Sequence, residues 1–350
     1  MNKLPQLKGF SFPSELIQEY KKSEKLLSLR ISLVPRHRCN LNCIYCYTTD
    51  PELSCANAKP LTFKQITNAI NEAIAMGIRS VVSVGDGEPL LYEHFKNLAE
   101  YLNERGITFV TFSNLTLITK ELAEFLYKNN VSVIGKCDGP EKIQDFLSGK
   151  GSYSKIQTGL KNLLDAGYGK DENILRLGLE AVICSINYDL IPNLWREMRN
   201  KNIFPSFERA TLMGSAHNHQ IKEITPDQTR ELMEKLRDID EKEYGYQWPA
   251  PYGPIPAHQC YLFYAGTHLN VYGGVCPCPE LPPIDYYPDH SLSQILHSEK
   301  YSKIRNVEKY IQGKCQGCAF LNVCYGCRSK AYHNCGSIFG EDPYCPVGIK

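Results

Sequence analysis

Cys39, Cys43 and Cys46 fall within one short stretch, CNLNCIYC, with the spacing CxxxCxxC. Thiolates are the natural ligands of iron–sulfur clusters. Three of them on one loop can bind three irons of a 4Fe–4S cluster and leave the fourth iron open to a small molecule. Zinc is the competing occupant, but it prefers four ligands, commonly from CxxC pairs, and this triplet supplies three. A second cysteine set lies near the other end. Cys260 is followed by Gly273 and Cys278, then by Cys315-x2-Cys318-x5-Cys324-x2-Cys327, and last by Cys345 in the run DPYC. The chain has 15 cysteines, so at least one thiol has no disulfide partner. The start, MNKLPQLKGFSFPSELIQEYKK, lacks the apolar core of a signal peptide. Cysteines clustered in a long chain without an export signal point to metal or cluster binding in a reducing compartment, and a cytoplasmic location is expected. Cys55, Cys137 and Cys184 stand outside both sets and are read as small buried apolar residues.

Something must hold these loops. At 350 residues the chain exceeds the size at which one core usually stops growing, so one large domain with a smaller appendage is expected. The net charge of +1 gives no basic stripe for nucleic acid, and no apolar run is long enough to span a bilayer. Strand-like runs at 29–35, 80–84, 107–112, 131–134, 176–184 and 204–207 alternate with helical patterns at 62–76, 92–105, 120–128, on to 164, 190–200 and 226–241. This βα alternation predicts an α/β fold, a partial (β/α)6 TIM-like barrel. Such barrels place chemistry at the C-terminal ends of their strands. The first cysteine loop, the turn Gly85-Asp86-Gly87-Glu88-Pro89 and the pair Ser113–Asn114 all follow predicted strands. Glycines there let the backbone approach a ligand, and exposed carbonyls with Glu88 can accept from an ammonium. At 244–256, YGYQWPAPYGPIP, periodicity is lost and a boundary is expected. Tyr246 and Trp248 could stack a sugar or peptide there, though a plain linker is favoured. The expected division is an extension at 1–28, the barrel at 29–243, a linker at 244–259 and a small Cys-rich α+β domain at 260–350. His217, His219 and His258 are read as ordinary histidines rather than ligands.

The motif CNLNCIYCY resembles the signature of radical S-adenosylmethionine (SAM) enzymes. The resemblance implies that SAM chelates the open iron and is cleaved to methionine and a 5′-deoxyadenosyl radical, which removes a hydrogen atom from the substrate. It implies a SAM-binding role for Tyr45 near the adenine. GDGEP resembles the family's GGEP turn, with Asp86 in place of the second glycine, and implies contacts from Gly85, Asp86, Gly87 and Glu88. Ser113, Asn114, Asp138 and Glu180, with Asn187 nearby, fall where relatives carry further polar SAM-binding turns; each could equally be a cap or turn residue. The C-terminal cysteines resemble a SPASM domain, which implies two auxiliary iron–sulfur clusters and three in all. By position, Cys315, Cys318, Cys324 and Cys345 would hold one, and Cys260, Cys278 and Cys327 the other. Cys276, Cys335, solvent or substrate would complete the latter. The x2 spacing before Cys327 departs from the family's x3. A pair of structural zinc sites is the alternative.

An auxiliary cluster offers a route for a second electron, so a net two-electron oxidation is expected, most naturally on a peptide or protein side chain. The same chemistry on a small molecule such as an aminoglycoside or sugar is the alternative, and a zinc-binding adaptor is the non-enzymatic one. Too few residues precede Cys39 for the leader-recognition domain of many peptide-modifying relatives. Asp138 and Glu280 are the candidate acid–base residues. Sulfatase-maturating relatives carry Asp directly after the cysteine that aligns with Cys278; Pro279 stands here, which argues against that activity. A flavodoxin or ferredoxin is the expected electron donor.

Overall fold

Short buried strands joined by helical crossovers must run parallel. The computed structural model, which describes residues 2–53, 59–170, 174–218, 221–249 and 255–347, has this arrangement. Strands β1 (Ser28–Ile31), β2 (Ser80–Ser83), β3 (Thr108–Ser113), β4 (Ser132–Lys136), β5 (Leu177–Ile183) and β6 (Phe204–Arg209) pair in chain order, all parallel. Helices α1 (Phe63–Ala75), α2 (Phe95–Glu104), α3 (Lys120–Lys128), α4 (Glu141–Ser148), α5 (Ser152–Ala166), α6 (Ile191–Asn200) and α7 (Pro226–Ile239) complete a partial TIM-like barrel. The start of α1 is set by a capping box between Thr62 and Gln65, and its buried face is Ile66, Ala69, Ile70 and Ala73. Thr225 and Gln228 cap α7 in the same way.

Besides shifts of one or two residues at other ends, the edges differ from the sequence reading in three ways. The first strand starts at Ser28 and ends at Ile31, after which Pro35 leads a single 3-10 turn into the cysteine loop. Helix α2 starts at Phe95 rather than Tyr92, because Pro89–Leu91 form a separate 3-10 turn. The helical pattern up to 164 is two helices, broken at Gly149 and Gly151.

Alternation along the strands separates two environments. Leu29, Ile31, Val81 and Val133 face the helices in the main core. Val82, Val110, Ile134 and Phe204 face inward, where Leu7 and Phe10 from the N-terminal segment fill the bottom of the barrel. His258 packs there against Phe10 and Phe204, and burial lowers its pKa to about 4, which makes it a neutral core residue. On the same inward face Arg30 stands level with Val82, Lys136 and Glu180 lie one step beyond Ile134 and its partner, and Glu208 lies two steps beyond Phe204. The barrel interior is therefore apolar at its base and charged towards the strands' C-terminal ends.

Past residue 260 the chain rejoins this sheet. Strand β7 (Gly266–Leu269) pairs parallel with β1, and β8 (Gly274–Cys276) and β9 (Asp285–Tyr286) follow antiparallel. Helix α8 (Arg328–Cys335) lies within the C-terminal cysteine set. The segment after α7 is anchored in the core. Asp240 is fully buried and accepts from Arg199 Nε (2.9 Å), Arg199 Nη2 (2.6 Å), Trp195 Nε1 (2.8 Å) and Trp248 Nε1 (2.7 Å). Trp248 packs beside Trp195, so it is a core residue and not a platform for a sugar or peptide. Cys184 is buried and Cys137 partly buried; Cys55 and His219 lie outside the described residues. Among the described residues, no helix is long and apolar enough to cross a membrane.

Candidate active site

The loop with Cys39, Cys43 and Cys46 follows β1 and is pinned from two sides. Asn40 donates to Thr116 Oγ1 (2.8 Å) and accepts from Asn114 Nδ2 (2.7 Å), which ties it to the turn after β3. On the other side the carbonyl of Cys46 accepts from Ser215 N (3.1 Å) and Thr49 Oγ1 (2.8 Å). Gly214, at φ +55°, makes this approach possible: a Cβ there would lie 2.6 Å from the Cys46 oxygen. No described cysteine forms a disulfide. Cys39 and Cys43 are each within electrostatic reach of Cys46, and burial pushes Cys39 up and Cys43 up to about 11. Such thiols are protonated at neutral pH, and iron, which displaces the proton, is the natural means of ionising them. The three residues fit a cluster by donor chemistry and by proximity.

The GDGEP turn after β2 lies against this loop. Asp86, the departure from the family motif, takes φ +29°, a positive angle that Asp tolerates better than most residues. Its carbonyl accepts from Thr48 Oγ1 (3.1 Å), and Thr48 Oγ1 lies 3.1 Å from Cys46 Sγ. Glu88 turns inward. Its carboxylate accepts from Ser113 Oγ (2.8 Å) and Asn114 N (2.8 Å), so it braces one strand-end turn against the next. Burial, only partly offset by these bonds, raises Glu88 to about 7. Both glycines flank a tight passage, since a Cβ on Gly87 would lie 2.6 Å from the Pro35 carbonyl.

Tyr45 is buried and donates to Asp138 Oδ2 (2.5 Å). Asp138 is fully buried and also accepts from Val182 N (3.0 Å) and Gln144 Nε2 (3.3 Å). Its carboxylate is thus occupied within the protein and acts through Tyr45. Asn187 donates to the Asp138 carbonyl (3.1 Å) and caps Cys184 N, a structural duty. Lys136 lies 3.3 Å from Glu180 and 3.6 Å from Asp138. Burial opposes its charge, but those two carboxylates hold its pKa above the ordinary value.

The C-terminal thiols lie near one another in two sets. Cys278 is within electrostatic reach of Cys260 and Cys327, and burial pushes its thiol well up. Cys345 is within reach of Cys315 and Cys318, and Cys324 within reach of Cys345 and Cys315; burial pushes Cys324 up to about 12. Cys276 is buried on β8, and its Sγ is 3.7 Å from the Gly274 carbonyl. Cys335 is exposed, with its Sγ 3.2 Å from the Ala331 carbonyl. Among the described residues, no three His, Cys, Asp or Glu side chains gather tightly enough for a bare metal ion.

A cavity with about 950 Å³ of empty space, partly open to solvent, lies between the two ends of this system. Tyr47, next to Cys46, lines it together with Cys260, Cys278 and Cys327. Glu280 also faces it, with Oε2 accepting from Thr211 Oγ1 (3.1 Å) and Ser329 Oγ (2.5 Å). Arg30, Glu208 and Gly214 were not singled out by motif. For Glu208 a signal existed, since it is an acidic residue directly after the predicted strand 204–207.

The sequence matches the radical SAM superfamily over residues 33–198 and the iron–sulfur cluster-binding SPASM domain over residues 260–319. It is 23% identical to an AdoMet-dependent heme synthase of Methanosarcina barkeri, covering 88% of this chain and 93% of that protein. It is also 23% identical to the mycofactocin maturase MftC of Mycolicibacterium smegmatis, covering 89% and 81%. Among solved structures it is similar to anSMEcpe with bound AdoMet (TM-score 0.69, 18% identity, 92% of this chain and 94% of that one). It is likewise similar to Streptococcus suis SuiB bound to its precursor peptide SuiA (TM-score 0.69, 20% identity, 94% and 78%).

Proposed function

This chain belongs to the radical SAM superfamily and carries a SPASM domain, and from that premise we propose that it oxidises a peptide or protein side chain by two electrons. It is an enzyme that uses SAM and iron–sulfur clusters, which sets aside the zinc adaptor. When bound, the cluster at Cys39, Cys43 and Cys46 supplies the electron that splits SAM into methionine and the 5′-deoxyadenosyl radical. We assign two further clusters, one to Cys260, Cys278 and Cys327 and one to Cys315, Cys318, Cys324 and Cys345.

The remaining work falls to side chains. Thr48 and the Asp86 backbone hold the GDGEP turn against the cysteine loop, and Glu88 fixes the turns after β2 and β3 relative to each other. Tyr45, oriented by Asp138, presents its ring at the edge of the SAM site. The apolar barrel base closes the cavity from below and excludes water from the reacting carbon. Glu280, held by Thr211 and Ser329, is the carboxylate next to the auxiliary thiols.

The observation that carries this reading is the single cavity lined both by Tyr47, which follows Cys46, and by Cys260, Cys278 and Cys327. A substrate there would sit between the site of radical generation and a route for the second electron. SuiB, bound to a precursor peptide, and the maturase MftC favour a peptide. The heme synthase relative favours a second reading, the same chemistry on a small molecule. The test is anaerobic incubation of reconstituted enzyme, SAM and dithionite with peptides encoded beside its gene. A peptide lighter by two hydrogens supports the proposal. Radical formation with no change in any such peptide, but oxidation of a small metabolite, moves the assignment to the second reading.

A further inference from the structure

Most charges around the cavity are matched within the protein. Glu180 faces Lys136 at 3.3 Å, and Glu280 is held by Thr211 and Ser329. Arg209 donates to the Tyr344 carbonyl (2.7 Å), and Lys330 is paired with Glu223. Two are not. Arg30, on the inward face of β1, is only 8% exposed; its guanidinium lies 5.6 Å from the Phe10 ring centre and close to the Tyr261 hydroxyl, but its Nε has no hydrogen-bond partner and no carboxylate is ion-paired with it among the described residues. Its register neighbours are Val82 and His268, neither of them charged. The side chain of Glu208, on the inward face of β6, has no hydrogen bond or ion pair with any other described residue. The two are close enough to influence each other's ionisation, yet no ion pair joins them. The wall around them is apolar, with Val84, Phe112, Leu262 and Phe263. Burial raises the Glu208 carboxyl to about 7, and an unmatched guanidinium in such surroundings is costly, so a ligand that completes both groups would stabilise their charged forms.

We propose that Arg30 and Glu208 form a two-point anchor for a substrate group bearing both charges, Arg30 taking its carboxylate and Glu208 its ammonium. A guanidinium presents a fork suited to a carboxylate, and a carboxylate accepts from an ammonium. The apolar wall between them suits a methylene spacer. This deepens the radical SAM reading, on which it rests for the cavity being the substrate site. The dual-charged group is either a free amino-acid-like molecule or a peptide stretch with an acidic and a basic side chain.

The test is calorimetric binding to reconstituted holoenzyme with SAM present and no reductant, so that no turnover occurs. ε-Aminocaproate should bind about tenfold or more tighter than caproate or hexylamine. R30Q should erase its advantage over hexylamine, and E208Q its advantage over caproate. A capped tripeptide with one glutamate and one lysine is the second arm; tighter binding than ε-aminocaproate assigns the peptide source, weaker binding the free molecule. Equal binding of the three small probes overturns the anchor, as does wild-type affinity for ε-aminocaproate in both variants. If R30Q or E208Q fails to hold wild-type iron, R30K and E208D replace them; these keep the charge but shift its geometry and must still weaken ε-aminocaproate binding. The 5′-deoxyadenosine assay on the same preparation reports separately on the radical SAM reading.

Discussion

Replacing Gly214 by alanine should loosen the loop that carries Cys46. The residue sits at φ +55°, where a β-carbon costs about 1–2 kcal/mol. That carbon would also lie 2.5 Å from Thr49 Oγ1, 2.6 Å from the Cys46 oxygen and 2.8 Å from the Tyr47 oxygen. Thr49 could rotate, but the two carbonyls are backbone and can move only with the loop. Overpacking of this kind costs about 1–3 kcal/mol, so the whole penalty is about 2–5 kcal/mol. Because it falls on the Cys46 carbonyl and its bond from Ser215, much of it should appear as weaker retention of the first cluster. The assay is iron and sulfide content after anaerobic reconstitution, together with urea denaturation and 5′-deoxyadenosine formation from SAM. G214A should lose part of its iron and about tenfold or more of its 5′-deoxyadenosine rate. A variant with wild-type iron, rate and unfolding midpoint would refute the packing argument.

Three further outcomes follow from the same geometry. D240A should cost about 3–5 kcal/mol in urea denaturation, because it strands the buried Arg199 guanidinium and two indole N–H groups. Glu88 is raised from 4.5 to about 7 in the folded protein, so its stabilising effect is complete below about pH 4.5 and is lost as pH rises through 7. Between about pH 5.5 and pH 8 the wild type should lose about 2 kcal/mol relative to E88Q, read from paired denaturation curves; parallel curves would show that Glu88 does not titrate there. On the proposed assignment of three clusters, C324A should lose about a third of the iron and still form 5′-deoxyadenosine.

The features written in local spacing were legible in the sequence. The CxxxCxxC triplet, the GDGEP turn and six strands with their crossover helices all rest on residues within a few positions of each other, and Thr62 and Thr225 announce their helices by capping boxes. What depends on distant partners was not legible. Gly214 is defined by its approach to Cys46, and nothing in MGSAHN specifies that contact. Trp248 lies in a Pro- and aromatic-rich run that reads as a linker, and only Asp240 and Trp195 make it core. The pairing of β7 with β1 joins residues more than two hundred positions apart. Arg30 and Glu208 lie on strands buried on both faces, where alternation between inward and outward residues leaves little trace in hydrophobicity. Glu88 was legible as a site residue, but its role as a brace required Ser113 and Asn114 in place.

The central claim is that Cys39, Cys43 and Cys46 hold the cluster that cleaves SAM. Anaerobically reconstituted protein, reduced with dithionite in the presence of SAM, should form 5′-deoxyadenosine, and C43A should form none. Formation at the wild-type rate by C43A, or none by wild-type protein that carries its full iron and sulfide, would contradict it.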